Sequence, residues 1–164
     1  MTNTPFVPQS AALPYLVGGF GLRILLITSR GRGRWVPPKG NIERGMTAAR
    51  SAAKEAHEEA GIVGAIGDRA IGSYIYRKFD DRKRRAYAVD VYPMLVDSVA
   101  PNWPEAHQRR REWFPCDTAA SLVEEPDLQD LIRGFGAMMG DLKHPAESAV
   151  DLPAAVQPMF SAPR

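Results

Sequence analysis

The chain has 164 residues, 45% of them apolar and 24% charged, with a formal net charge of +2. That is the size and composition of one ordinary globular domain with its own core, and it excludes a wholly disordered chain, a fibrous repeat and a disulfide-stapled miniprotein. The one cysteine, Cys116, cannot close an internal bridge. No uncharged apolar run approaches the roughly 18 residues a membrane span needs. The apolar stretch 11–27 is broken by Pro14, Gly18, Gly19, Gly21 and Arg23 and lacks a basic leader, so it does not read as a signal peptide. A cytoplasmic protein is expected.

Residues 1–9 hold two prolines and little periodicity and are expected to form a flexible N-terminus. Arg23 to Thr28 is a short β-branched and leucine run between glycines, which predicts a buried strand. Pro37-Pro38-Lys39-Gly40 cannot be helical. Thr47 to Ala60 is rich in alanine and glutamate and ends at Gly61, a helix stop. Its Ala49, Ala52, Ala53, Ala56 and Ala60 recur at three- and four-residue steps, giving a small-residue face that can lie close to a sheet. Two strands are predicted at Ala70 to Phe79 and Ala86 to Val96, joined by a charged turn at Asp80 to Arg84. Trp103-Pro104-Glu105 reads as a loop and Glu112-Trp113-Phe114 as a short strand. Pro126 to Leu142 carries Leu128, Leu131, Ile132 and Phe135 at helical spacing behind a first-turn proline. Four prolines and several alanines after His144 predict a disordered tail over 143–164. The domain proper is therefore expected over 10–142, and strands around a central helix with a terminal helix point to a layered α/β fold.

The small net charge hides an asymmetry. Residues 1–116 hold 18 Lys and Arg against 11 Asp and Glu, and residues 117–164 hold 3 against 8. The positive charge is clustered at Arg30, Arg32 and Arg34, at Arg77 to Arg85, and at Arg109, Arg110 and Arg111. Each cluster alone reads as a solvated loop, and three in one small domain shift the reading toward a polyanionic ligand.

The chemistry concentrates between Gly40 and Ile62. Glu55, Glu58 and Glu59 stand three and four residues apart, so a helix puts all three carboxylates on one face, where they repel. Such a face either solubilises the helix or holds a hard cation such as Mg²⁺, which takes carboxylate oxygens and keeps waters for a phosphate substrate. His57 falls on the far side from the alanines and reads as exposed. His107 and His144 have no visible partner, and Cys116 reads as a buried thiol rather than a nucleophile. Trp103 and Trp113 read as packing groups.

At this point the sequence resembles the Nudix hydrolases. Their box runs Gly, five residues, Glu, seven residues, Arg-Glu, a bulky aliphatic, any residue, Glu-Glu, any residue, Gly and an aliphatic. Gly40, Glu55, Glu58, Glu59, Gly61 and Ile62 match at the required spacing over 40–62. Met46, Lys54 and Ala56 depart, standing for the family's glutamate, arginine and bulky aliphatic. The first two form a structural ion pair in the family, so Lys54 is expected to find another partner, either Glu43 or Glu58. Arg110-Arg111-Glu112-Trp113-Phe114, Trp103-Pro104-Glu105, Pro37-Pro38-Lys39-Gly40 and the aromatic strand Tyr87 to Tyr92 resemble the branch that cleaves diphosphoinositol polyphosphates and diadenosine polyphosphates. The similarity runs from about Leu16 to Phe135.

The resemblance implies an α/β/α sandwich with a mixed central sheet, a metal-binding loop-helix-loop and a C-terminal helix. It implies Mg²⁺, with Mn²⁺ as a substitute, held by Glu55 and Glu59, with Glu58 as ligand or general base and backbone oxygens of Lys39 and Gly40 nearby. Arg30, Arg32, Arg34, Lys39 and Arg85 are the candidate phosphate contacts. The expected partner is a small phosphorylated substrate whose phosphoanhydride is attacked by water at phosphorus. The alternatives are removal of pyrophosphate from RNA 5′ ends, which would make nucleic acid a partner, and a non-catalytic module that only binds the ligand. The sequence carries no membrane anchor and no signal for an oligomeric state.

Overall fold

The structure is a computed structural model that describes residues 5–80 and 82–141. The predicted tail, His144 and Asp81 lie outside the described residues. The elements run β1 (Val7–Gly18), β2 (Gly21–Thr28), β3 (Trp35–Val36), β4 (Lys39–Asn41), α1 (Ala48–Ala60), β5 (Ile62–Ile66), β6 (Gly72–Asp80), β7 (Lys83–Val99), β8 (Arg111–Pro115), α2 (Cys116–Leu122) and α3 (Pro126–Asp141). All eight strands join one mixed sheet in the order β3-β2-β1-β7-β5, with β4 on β1, β6 on β7 and β8 on β2. The β1–β7 pair is parallel. The other pairings are antiparallel.

The four predicted strands appear near their expected places as β2, β6, β7 and β8. The predicted helices appear as α1 and α3. Strand β1 is the main departure, since Val7 to Gln9 belong to a strand rather than a loose end. Prolines at 8 and 14 disguise it. Along one edge β1 pairs β4 through Gln9 to Ala11 and β2 through Tyr15 to Gly18. Pro14 falls in the gap between these two ladders, where a missing N–H is tolerated.

Strand alternation puts apolar side chains on both faces of the sheet. Ala11, Leu13, Ile24, Leu26, Val89 and Val91 pack with Leu128, Ile132 and Phe135 of α3 and with Ala119 and Ala120 of α2. Ala12, Leu16, Leu25, Ile27, Met94 and Val96 pack on the other face with Ala49, Ala52, Ala56 and Ala60 of α1. The result is an α/β/α sandwich. Burying one Leu or Ile side chain in such a layer contributes about 1.5–3 kcal/mol. The alanine stripe matters differently, because side chains this small let the α1 backbone, and with it the glutamate face, settle against the sheet.

Candidate functional site

Helix α1 starts at Thr47, whose Oγ1 accepts from the Arg50 N–H at 3.2 Å. It stops at Gly61, in the left-handed region at φ 65°, with its N–H bonded to the carbonyl of His57 at 3.0 Å. The last turn, which carries the glutamates, is closed from outside by the 103–111 segment. Trp103 Nε1 donates to the carbonyl of Glu59 at 3.0 Å, and the Glu105 N–H to that of Glu58 at 3.2 Å. Arg111 donates from Nη1 to the carbonyl of Ala60 at 2.7 Å and from Nη2 to that of Ala100 at 2.6 Å. Its guanidinium lies 3.9 Å from the Trp103 ring centroid. Carbonyls at a helix end lack intrahelical partners, and an arginine there also complements the helix dipole. Trp103 and Arg111, read from sequence as a packing group and part of a subfamily signal, therefore brace the carboxylate helix.

Each carboxylate has its own surroundings. Glu55 lies against Gly40, so close that a Cβ on residue 40 would occupy the space of its carboxylate. It has no hydrogen-bond partner among the described side chains, and it is pushed up to about 7, first by burial and then by Glu59 and Glu58. Glu58 is half-exposed and pairs with Lys54 at 3.1 Å. Lys54 also holds Glu43, so both expected partners are engaged at once and hold the ammonium protonated to well above its usual range.

Glu59 is buried, its Oε2 accepting from the Lys39 N–H at 3.2 Å and its Oε1 from Arg109 Nη2 at 2.9 Å. Burial holds its carboxyl above the usual range, although Arg109 and Lys39 work to lower it. The Lys39 side chain lies over the ring of Tyr76 at 4.8 Å, and burial lowers its ammonium. Tyr76 stacks on Tyr87 at 4.7 Å and donates to Gln9 Oε1 at 2.7 Å.

The candidate phosphate contacts divide. Lys39 borders Glu59 directly. Arg34 pairs with Glu125 and Glu124, and its guanidinium also stands 6.0 Å from the Tyr76 ring. Arg32 pairs with Glu124 at 3.3 Å and Arg30 with Glu105 at 3.4 Å, both on exposed stems. Arg85 is exposed on β7 opposite Lys78, two residues from Tyr87 and therefore on the same face of the β6–β7 ribbon. The acidic partners from 105 to 125 were invisible in sequence because their pairing is set by the chain crossing, not by spacing. Arg109 and Glu105 were missed for the same reason. His57 is exposed, as expected; His107 is exposed with its Nε2 3.2 Å from Gln108 Nε2, and Cys116, expected to be buried, is half-buried with its thiol near the carbonyl of Ile132 and pushed up by burial.

The donor set suits a hard divalent cation chemically: three carboxylates, one of them unpartnered and pushed up by burial and then by its acidic neighbours, and a glycine that lets that carboxylate reach the β4 backbone. Among the described residues no three of these side chains converge into a finished cage. The reason is visible. Glu58 is turned to Lys54 and Glu59 to Arg109.

Comparison with known proteins agrees with this geometry. The chain is 32% identical over 103 residues to human diphosphoinositol polyphosphate phosphohydrolase 3-beta, covering 62% of this chain and 59% of that protein. It is 28% identical over 121 residues to the chloroplastic Nudix hydrolase 21 of Arabidopsis thaliana, covering 72% and 59%. The chain thus spans about three-fifths of the length of these relatives. Among solved structures, the C. elegans Ap4A hydrolase superposes with a TM-score of 0.58 at 19% identity over 82% of this chain and 99% of that one. The NUDIX domain of Shewanella oneidensis NrtR, solved with ADP ribose, superposes with a TM-score of 0.63 at 16% identity over 82% and 89%. Both are likenesses of fold. Residues 8–135 match the NUDIX domain family, and with most of its length covered the chain belongs to that family.

Proposed function

We propose that the protein is a Mg²⁺-dependent hydrolase that cleaves a phosphoanhydride bond in a phosphate-rich small molecule of the diphosphoinositol polyphosphate or diadenosine polyphosphate type. The observation that carries this reading is the seating of Glu55 on Gly40 beside Glu59, which brings two carboxylates of α1 to the backbone of β4. The curated relatives named as diphosphoinositol polyphosphate phosphohydrolases support the substrate class. The proposed compartment is the cytoplasm.

In this reading Glu55, Glu58 and Glu59, with backbone oxygens of Lys39 and Gly40, hold the cation. When bound, Mg²⁺ or its substitute Mn²⁺ supplies charge neutralisation of the phosphates and acidifies the attacking water. Glu58 is half-exposed and tied to half-exposed Lys54; where it is not a ligand, it accepts the proton that water gives up as it attacks phosphorus. Lys39 borders Glu59, and with Arg34 it faces the Tyr76 ring; both bind the phosphates of the scissile bond. Arg32 exchanges its exposed partner Glu124 for phosphate at little cost, because surface pairs are worth about 0–1 kcal/mol, and Arg30, itself exposed, leaves a half-buried Glu105 that Arg109 also holds. Arg85 reaches a more distant phosphate along the β6–β7 ribbon.

The test is product chromatography on the purified protein with diadenosine polyphosphates, a diphosphoinositol polyphosphate, nucleoside triphosphates and a 5′-triphosphorylated RNA, each with Mg²⁺ and with chelator. Metal-dependent cleavage lost in Glu59→Gln establishes the hydrolase, and the preferred substrate fixes its class. Cleavage of the RNA alone would replace the small-molecule reading. Absence of turnover with ligand binding intact would make the protein a binding module.

A further inference from the structure

Arg109 makes the most enclosed ion pair of the candidate centre. Its side chain is 8% exposed and that of Glu59 10%, with Nη2 to Oε1 at 2.9 Å. The arginine does not belong to the box. It comes from the 103–111 segment, where its backbone neighbourhood is pinned to the end of β2. The Thr28 N–H donates to the carbonyl of Arg110, and the Arg110 N–H to Thr28 Oγ1, both at 2.9 Å. The guanidinium itself has two further acceptors, the carbonyl of Thr28 at 3.1 Å and Glu105 Oε2 at 3.4 Å. It therefore has somewhere to stay if Glu59 is taken from it.

A buried carboxylate without a partner is costly, and one shared by a guanidinium and a divalent cation brings two positive charges together in a poorly solvated place. Oε2 of Glu59 accepts from the Lys39 N–H and Oε1 faces Arg109, so a cation that takes Oε1 competes directly with the guanidinium. We propose that Arg109 is a positioning residue that fills the place of the metal: it neutralises Glu59 in the metal-free protein, gives it up on metal loading to rest on Glu105 and the Thr28 carbonyl, and so sets the metal affinity of the centre. This inference rests on the reading of Glu59 as a metal ligand.

The test measures metal binding, not turnover. Free Mn²⁺ is followed by electron paramagnetic resonance at pH 8 with wild type, Arg109→Met and Arg109→Lys. Arg109→Met is expected to bind Mn²⁺ at least about fivefold more tightly than wild type, the lower end of an ordinary coupling between two sites. Arg109→Lys, which keeps the charge on a shorter reach, is expected to fall between them. Equal or weaker binding in Arg109→Met overturns the proposal. Failure of the wild type to bind Mn²⁺ at all would instead overturn the metal reading beneath it.

Should Arg109→Met not fold, the wild type decides. Its Arg109 side-chain N–H resonances are expected to move on titration with Mg²⁺ at the midpoint of metal binding. Resonances unchanged at saturating Mg²⁺ overturn the proposal.

Discussion

The carboxylate of Glu55 occupies the space a Cβ on residue 40 would need, so the glycine of the Pro-Lys-Gly segment is a seat for a side chain fifteen positions downstream. The contact is with the tip of a flexible side chain, which can move. Gly40→Ala is therefore expected to fold with a stability within about 1 kcal/mol of wild type. Mg²⁺ affinity is expected to fall about tenfold or more, as when a ligand's orientation is lost. Chemical denaturation beside isothermal titration calorimetry checks the two halves. Normal Mg²⁺ binding by Gly40→Ala would show that Glu55 does not need this seat.

The raised Glu55 carboxyl makes metal binding depend on pH. Its ordinary value is 4.5 and its folded value about 7, so the metal-free fold holds this proton more tightly than the unfolded chain does. Glu55 accordingly costs the metal-free protein stability as pH rises from 4.5 through 7, and the cost is then constant. A cation needs the ionised form, so its binding at pH 6 expels a proton and at pH 8 does not. Calorimetry in buffers of different ionisation enthalpy is expected to give close to one proton released at pH 6 and almost none at pH 8. Equal release at both would remove Glu55 from the ligand set.

Gly61 has two reasons to be glycine. Its φ is 65°, and a Cβ would press on Trp103 Cβ at 2.7 Å and Arg111 Nη1 at 2.8 Å. Gly61→Ala combines backbone strain with displacement of the groups that close α1, and about 2 kcal/mol or more of stability is expected to go. Urea unfolding measures it. A loss below about 0.5 kcal/mol, the size of a neutral surface change, would mean the brace is slack.

Lys54 ties Glu43 to Glu58 across a half-exposed surface. Lys54→Met is expected to leave the melting temperature unchanged within error, because such pairs contribute little in water. A drop of several degrees would show that this tie replaces the family's structural pair in full.

Residues 40–62 were legible in sequence because helix geometry alone puts Glu55, Glu58 and Glu59 together and lines up Ala49, Ala52, Ala56 and Ala60 in a stripe beside them. Strand β1 was not, since Pro8 and Pro14 are strand breakers except where, as here, one edge of the strand is left unpaired beside them. Short pieces such as β3, β4 and α2 have too few residues to show a period. The side-chain partners of the arginines were also hidden. Arg34 with Glu125, or Arg109 with Glu59, meet only because the fold brings residues 91 and 50 positions apart into contact.

The parallel pairing of β1 and β7 sets the order in which the molecule can assemble. Val7 faces Tyr87 and Tyr15 faces Leu95, so β1 waits about eighty residues for its neighbour. The β1–β2 hairpin and α1 are local and can form early, but the layer that supports α1 is incomplete until β7 arrives. Closing so long a loop before its contacts form slows folding. A nascent chain in which β7 has yet to form therefore exposes the alanine stripe of α1 and one bare edge of β1, which leaves it open to aggregation in that interval.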